Sequence, residues 1–140
     1  MFTSQYTRDN LAEVLRSCGI NPTHQRIEIA YAIFSRGEHL SADQIMAAVN
    51  DRASETSKAT VYNTLSLFLE KHLIREVIVD PNKVFYDPNT APHHHFYNVD
   101  TGELADIDAR NIRVTGLPSL PDGMATEGID VVVRIRSAAS

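Results

Sequence analysis

The sequence predicts an α+β chain, with an N-terminal winged-helix domain followed by a small α/β domain, and three observations support this. Over about the first 75 residues, apolar side chains recur at the three- and four-residue spacing of helices. After His72 the apolar period changes to two, which is typical of strands. Two prolines in the stretch D-P-N-T-A-P indicate a hinge. We therefore divide the chain into domains 1–86 and 93–140, joined by a hinge at 87–92.

Four predicted helices occupy the first domain, and their boundaries can be read from the sequence. The first carries Leu11 and Leu15 on one side and stops at Gly19, because glycine readily adopts the left-handed conformation that ends a helix. The second is expected to end near Ser35 and to turn inward Ile27, Ala30, Tyr31 and Phe34. The second helix is expected to begin at Pro22 or Thr23, the third at Ser41 and the fourth at Ser57.

The strands of the first domain are predicted to form a hairpin. Residues 73–79 and 83–87 alternate in polarity and flank a turn at 80–82 that contains proline and asparagine. A hairpin that directly follows a series of helices is the arrangement of a winged helix, whose recognition helix enters the major groove of DNA.

The second domain is predicted to be a small sheet. One strand begins at His93 and leads to a D-T-G turn at 100–102, and another covers 103–107. An irregular stretch at 115–128, rich in glycine and proline, precedes a last strand at 129–136. Its apolar face, which we expect to be buried, consists of Ile129, Val131, Val133 and Ile135. Because so short a domain makes a limited core, we expect the sheet to pair with a second copy in a two-fold homodimer.

Composition bounds the remaining possibilities. No apolar run in the 140 residues approaches the ~18 that a membrane helix needs, and residues 1–10 lack the apolar centre of a signal peptide. We therefore expect a cytoplasmic protein with no membrane partner. A single cysteine excludes an internal disulfide. The net charge of −5 confines any DNA-binding surface to a local patch.

Three consecutive histidines provide the main chemical signal. Side chains alternate along a strand, so His93 and His95 point to one face and His94 to the other. The strand after the tight turn brings Asp106 alongside. Imidazole and carboxylate ligands together suit a divalent metal such as Mn, Fe or Zn.

The fourth helix is the candidate for reading double-stranded DNA. Its first turns offer hydroxyl, amino and amide groups, which contact phosphates and base edges, and its N-terminus attracts phosphate. The residues are Ser57, Lys58, Thr60, Tyr62, Asn63 and Thr64, and we add Arg26 from the second helix. The alternative is an amphipathic helix with a merely solvated polar face; the hairpin behind the helix favours DNA binding.

Four separated motifs resemble the ferric uptake regulator (Fur) family and occur in the family's order. They are G-I-N-P-T-H-Q-R at 19–26, H-L-S-A-D-Q-I at 39–45, A-T-V-Y-N-T-L at 59–65, and the histidine strand with D-T-G-E-L-A-D-I. The resemblance implies a dimer that binds promoter DNA, with a winged-helix DNA-binding domain and an α/β dimerisation domain.

Within this family, the chain most resembles the Irr branch, the iron response regulators. The histidine strand has no following Cys-x-x-C, Asn63 stands where many members have arginine, and the chain ends near V-V-R-I-R. This resemblance implies regulation of haem-synthesis and iron-homeostasis genes. It also implies haem binding through the triplet His93, His94 and His95.

The resemblance further implies a five-ligand metal site that joins the two domains. The family's ligands fall on His39, Asp87, His93, His95 and Asp106. Of these, His39 and Asp87 follow from the resemblance alone. A metal held by both domains would fix their relative angle, and with it the spacing of two recognition helices in a dimer.

Other functions are compatible with the same residues. The chain could be a manganese- or iron-responsive repressor or a peroxide-sensing repressor of this family. In a different class, it could be a small non-haem metalloenzyme, or a metal-storage module that does not bind DNA. We expect no enzyme, because the sequence offers no obvious general base beside the histidines and no Gly-rich substrate loop.

Overall fold

The structure is a computed structural model that describes residues 6–37, 39–52 and 56–139. Its helices are α1 (Arg8–Ser17), α2 (His24–Phe34), α3 (Ala42–Arg52) and α4 (Lys58–Glu70), and a short 3-10 helix covers Ala109–Asn111. Its strands are β1 (Arg75–Asp80), β2 (Lys83–Asp87), β3 (His94–Asn98), β4 (Leu104–Ile107) and β5 (Val132–Ile135). The chain divides into two compact units, Met1–Thr90 and Ala91–Ser140. The α+β class predicted from the sequence is confirmed.

The ends of the helices follow the predicted chemistry. The hydroxyl of Ser57 accepts a hydrogen bond from the backbone N–H of Thr60 at 3.1 Å, and the predicted caps Thr23 and Ser41 act in the same way. Gly19 ends α1 with φ +79°, a conformation that glycine adopts without strain. In the part of the chain that the structure describes, no helix is both long and apolar enough to span a membrane.

The core of the first unit lies between the four helices. Its fully buried large side chains include Leu11, Leu15, Ile29, Ile33, Ile45, Leu65 and Phe68. The predicted inward stripe of α2 was incomplete, because Ile29 and Ile33 are 0 % exposed while Ile27 and Tyr31 are only half-buried. The reason is that α2 contacts α1, α3 and α4 and is therefore covered on more than one side.

A charged pair joins α1 to α2 at the edge of this core. The Arg8 guanidinium donates to both Glu28 carboxylate oxygens, at 2.6 and 3.1 Å, and lies 4.1 Å from the centre of the Tyr31 ring. The hydrogen bonds and charge of Glu28 raise the pKa of Arg8 further above its usual value. Because Glu28 is buried, this guanidinium offsets part of the cost of burying its carboxylate.

We expect Arg8→Ala to lower the free energy of unfolding by about 1–2 kcal/mol, since it leaves a buried carboxylate without its bidentate partner. Urea denaturation followed by circular dichroism would measure the change. The control is Arg16→Ala, which removes an exposed pair with Glu13 and should cost less than about 0.5 kcal/mol. Equal effects of the two substitutions would contradict the role given to Arg8.

The hairpin of the first unit is antiparallel, and a short bridge extends it. β1 begins at Arg75, two residues later than predicted, because Leu73 donates its N–H to the Phe68 carbonyl at 2.9 Å and closes the end of α4. Leu40, just before α3, pairs with Tyr86 of β2 through two backbone hydrogen bonds of 3.1 and 2.8 Å. The bridge thereby holds the chain neighbours of Leu40 next to the chain neighbours of Tyr86.

The second unit contains a three-stranded sheet in the order β4-β3-β5. β3 is central, antiparallel to β4 and parallel to β5. The last strand is shorter than predicted, and its apolar face is only partly covered in this chain: Ile129, Val133 and Ile135 are 39, 37 and 38 % exposed, and Val131 is half-buried. Residues 112–131, which precede this strand, contain no helix or strand.

Candidate metal centre

Three donor side chains converge in the second unit. The β3–β4 register places His95 directly opposite Asp106, and the strand period puts His93 on the same face. Asp106 Oδ1 lies 3.4 Å from His93 Nε2 and 3.3 Å from His95 Nε2. Two ligands that each bind one ion at about 2.1 Å lie roughly 3.0–3.4 Å apart. The separations therefore fit a shared divalent cation.

The protonation of His93 also fits a metal ligand. Its Nδ1 lies 2.7 Å from the Ala91 carbonyl oxygen, to which it donates a hydrogen bond. In the neutral ring this leaves a lone pair on Nε2, the atom that faces Asp106. His95 is 0 % exposed, and its ring packs edge-on against that of His93 with 4.5 Å between the ring centres. Neutral imidazole nitrogens and a carboxylate suit Mn, Fe or Zn.

A second donor pair lies in the first unit. His39 Nε2 is 3.5 Å from Asp87 Oδ2, and both side chains are largely buried. The Leu40–Tyr86 bridge explains their position, because His39 precedes Leu40 and Asp87 follows Tyr86. The second oxygen of Asp87 accepts the backbone N–H of Asn89 at 2.9 Å, which orients the carboxylate. This pair also has the chemistry of a half-site for a divalent cation.

His94 points to the other face of β3 and is engaged differently. Its Nδ1 accepts the backbone N–H of Val131 at 3.0 Å, and its cross-strand neighbour is the buried Ile107. The bond leaves the proton of the neutral ring on Nε2. Of the three histidines considered for haem, His93 and His95 therefore face Asp106, whereas His94 is bonded to the residue that precedes β5.

The candidate DNA-reading residues lie mostly on the surface of α4. Ser57, Lys58, Tyr62 and Asn63 are exposed, and Thr60 is half-buried. The Lys58 ammonium lies 6.0 Å from the centre of the Tyr62 ring. These side chains share the solvent-facing side of the helix, where phosphates and base edges could reach them.

Thr64, which the sequence analysis grouped with these residues, does not lie on that surface. It is buried, because it lies three residues after Val61 and four before Phe68 and so falls on the inward stripe of α4. Arg26 is half-buried at the start of α2, and its guanidinium donates to the Asn21 carbonyl at 3.0 Å.

The hairpin also offers a basic residue that the sequence analysis missed. Lys83 is exposed directly after the turn, where the backbone N–H of Asn82 donates to Asp80 Oδ1 at 2.7 Å. A lone lysine in a hairpin has no motif around it, so the only signal was its place in the wing of a winged helix.

Comparison with known proteins adds independent findings. Residues 17–130 match the family described as the ferric uptake regulator family. The chain is 30 % identical over 93 residues to the peroxide-responsive repressor PerR of Staphylococcus epidermidis, an alignment that covers 66 % of this chain and 62 % of that protein. The match thus spans less than two thirds of the relative.

Solved structures show the same fold. The chain is similar to the ferric uptake regulator from Pseudomonas aeruginosa with manganese, with a TM-score of 0.67, 23 % identity and coverage of 91 % of this chain and 97 % of that one. It is also similar to the ferric uptake regulator of Vibrio cholerae, with a TM-score of 0.70, 18 % identity and coverage of 91 and 99 %.

Proposed function

Because the chain belongs to the ferric uptake regulator family, we propose that it is a metal-responsive transcription regulator rather than an enzyme. The observation that carries the proposal is the convergence of His93, His95 and Asp106 at separations that suit one divalent cation. We assign DNA binding to residues 1–86, and dimerisation and sensing to residues 93–140, with a hinge at 87–92.

We propose that one ion takes ligands from both units. The full set is His39, Asp87, His93, His95 and Asp106, which supplies three imidazoles and two carboxylates. Only five residues separate Asp87 from His93, so the chain keeps the two donor groups within about 20 Å of each other. When bound, the metal would supply positive charge among donors that otherwise repel each other. The residues on either side of the hinge would then be fixed in one arrangement, which would set the angle of the DNA-binding unit.

We further propose a homodimer on promoter DNA. Phe96, Val133 and Ile135 share one face of the sheet by register, and all three remain more than a third exposed. An apolar sheet face of this kind suits a second copy related by a two-fold axis. Two copies of α4 would then read two half-sites of double-stranded DNA, with Lys83 and Arg26 as further phosphate contacts. Such a regulator would work in the cytoplasm, where it reaches the chromosome.

Two finer proposals concern the signal to which the regulator responds. The curated relative is named as a peroxide-responsive repressor, which favours peroxide sensing as a second candidate. The Irr-like alternative is control of haem synthesis and iron homeostasis through haem. In that case haem would be held by His94, after loss of the bond to Val131, or by His93 or His95 in competition with the metal.

Fluorescence anisotropy with labelled promoter DNA of iron-related genes would test the function. We expect tight binding with Mn²⁺ and at least about tenfold weaker binding after chelation, because a ligand shifts an equilibrium by its differential affinity for the two states. Separate arms with haem, and with peroxide added to the iron-loaded protein, distinguish the finer signals. DNA binding under none of these conditions would rule out a regulator. Equal binding under all of them would rule out metal control.

A further inference from the structure

A cleft in the first unit lies between the start of α3, the exposed side of α4 and the β1–β2 hairpin. Its volume is about 220 Å³, and it is open to solvent on one side. This is below the roughly 300–1,000 Å³ of sites that hold drug-sized molecules, so its ligand must be small. The residues that shape it are Asp43, Tyr62, Pro81, Asn82, Val84 and Tyr86.

One wall of the cleft combines aromatic, aliphatic and acidic groups. Val84 and Tyr86 alternate along β2 and face the cleft, and their cross-strand partners on β1 are Ile78 and Glu76. Directly paired residues point to the same side of a sheet, so the Glu76 carboxylate lies on the Tyr86 side of the hairpin. Burial, and after it the charges of Glu76 and Tyr62, raise the pKa of the Tyr86 phenol.

The opposite wall of the cleft is also suited to a positively charged ligand. Asp43, in the first turn of α3, is exposed, and Tyr62 presents a ring that is 41 % exposed. None of the eight described residues that line the cleft is lysine, arginine or histidine. The Lys58 ammonium lies 6.0 Å from the centre of the Tyr62 ring, at the outer limit of a cation–π contact.

We propose that this cleft binds a small organic cation, an alkylammonium compound of about the size of choline. The Asp43 carboxylate balances the charge, and the rings of Tyr62 and Tyr86 contact the apolar groups around the nitrogen. Pro81 and Val84 provide the aliphatic surface against which the body of the ligand packs. A phosphate or carboxylate ligand is disfavoured, because it would meet the Asp43 carboxylate and none of the described residues that line the cleft is basic.

A titration with two matched probes tests the charge requirement. Choline and 3,3-dimethylbutan-1-ol have nearly the same shape, but only choline is charged. In the full-length protein, ¹H–¹³C spectra of labelled tyrosine rings should show choline shifting Tyr62 and Tyr86, and the neutral alcohol should bind at least about fivefold more weakly. Equal affinity for both probes would overturn the role of charge, and no shift with either would overturn the site itself.

Two substitutions on α3 locate the binding. Asp43→Asn should weaken choline binding about fivefold while leaving the fold unchanged, because the side chain is exposed. Asp51→Asn removes the same charge from an exposed position that does not line the cleft, and it should leave the affinity unchanged. Equal loss in both variants would show a general effect of net charge and would overturn the assignment to this cleft.

A consequence for regulation rests on the proposed function. Tyr62 belongs to the surface proposed to face DNA, so choline in the cleft should weaken DNA binding by the wild-type protein but not by Asp43→Asn. The tyrosine titration contains no DNA. Failure of the site and failure of the proposed DNA binding are therefore separate results.

Discussion

Replacing Asp106 by asparagine is expected to weaken Mn²⁺ binding at least about 100-fold, because loss of even an outer-shell partner typically costs 10–100-fold in affinity. The asparagine keeps the size of the side chain but removes the charge that both imidazoles face. Since half of the Asp106 side chain is exposed, the fold should tolerate the change. Competition against a fluorescent chelator would measure the affinity. Thermal unfolding of the metal-free protein would show whether the fold is intact.

Two further variants make the result specific. Asp122→Asn removes a carboxylate from the exposed 113–130 stretch and should leave metal affinity unchanged. His39→Ala tests the joint ion: if both units bind the same metal, this variant also weakens Mn²⁺ binding, and its effect is not additive with that of Asp106→Asn. If His39→Ala leaves the affinity unchanged, the ion belongs to the second unit alone, and the proposed switch between the units is wrong.

Replacing Asn63 by alanine is expected to cost about 1–3 kcal/mol of DNA-binding free energy per half-site, since an amide that reads an adenine edge discriminates by that amount. In a dimer on two half-sites, the loss would be about twice as large. The side chain is exposed on α4, so the folded state should be unaffected. Anisotropy titrations against the promoter sequence and a scrambled sequence would show selective loss of binding to the promoter.

Two other positions on α4 separate specific from general contacts. Lys58→Ala should weaken binding to both sequences and reduce its salt dependence, because an ammonium neutralises phosphate without reading bases. Thr64→Val keeps the shape of a buried side chain and should leave DNA binding unchanged. If Asn63→Ala weakened binding to both sequences equally, Asn63 would be a backbone contact and not a base reader.

Much of the local structure could be predicted because short-range chemistry decides it. The caps at Thr23, Ser41 and Ser57 depend on a hydroxyl three residues before a free backbone N–H. The orientation of His93 and His95 follows from the two-residue period of a strand, and a tight turn brings Asp106 opposite His95. These relations extend over at most 13 residues. Over so short a range, backbone torsion preferences and strand register allow few alternative conformations.

The interactions that could not be predicted from the sequence all depend on packing between segments that are far apart in the chain. Thr64 looks polar in the sequence, but packing against α2 and α3 determines which side of α4 is covered. The partnership of Glu28 with Arg8 requires α1 to pack on α2, and no local pattern indicates it.

The sequence by itself determined the order of helices and strands, the change from helical to strand periodicity, and the donor chemistry of the histidine strand. The family resemblance named His39 and Asp87, but only the tertiary structure shows how residues 48 positions apart meet: the Leu40–Tyr86 backbone bridge aligns them. It also decided that α3, α4 and the hairpin enclose a cleft with an acidic and aromatic lining. The physical reason is that periodicity and capping act between near neighbours, whereas a site made from separate segments exists only once those segments have packed.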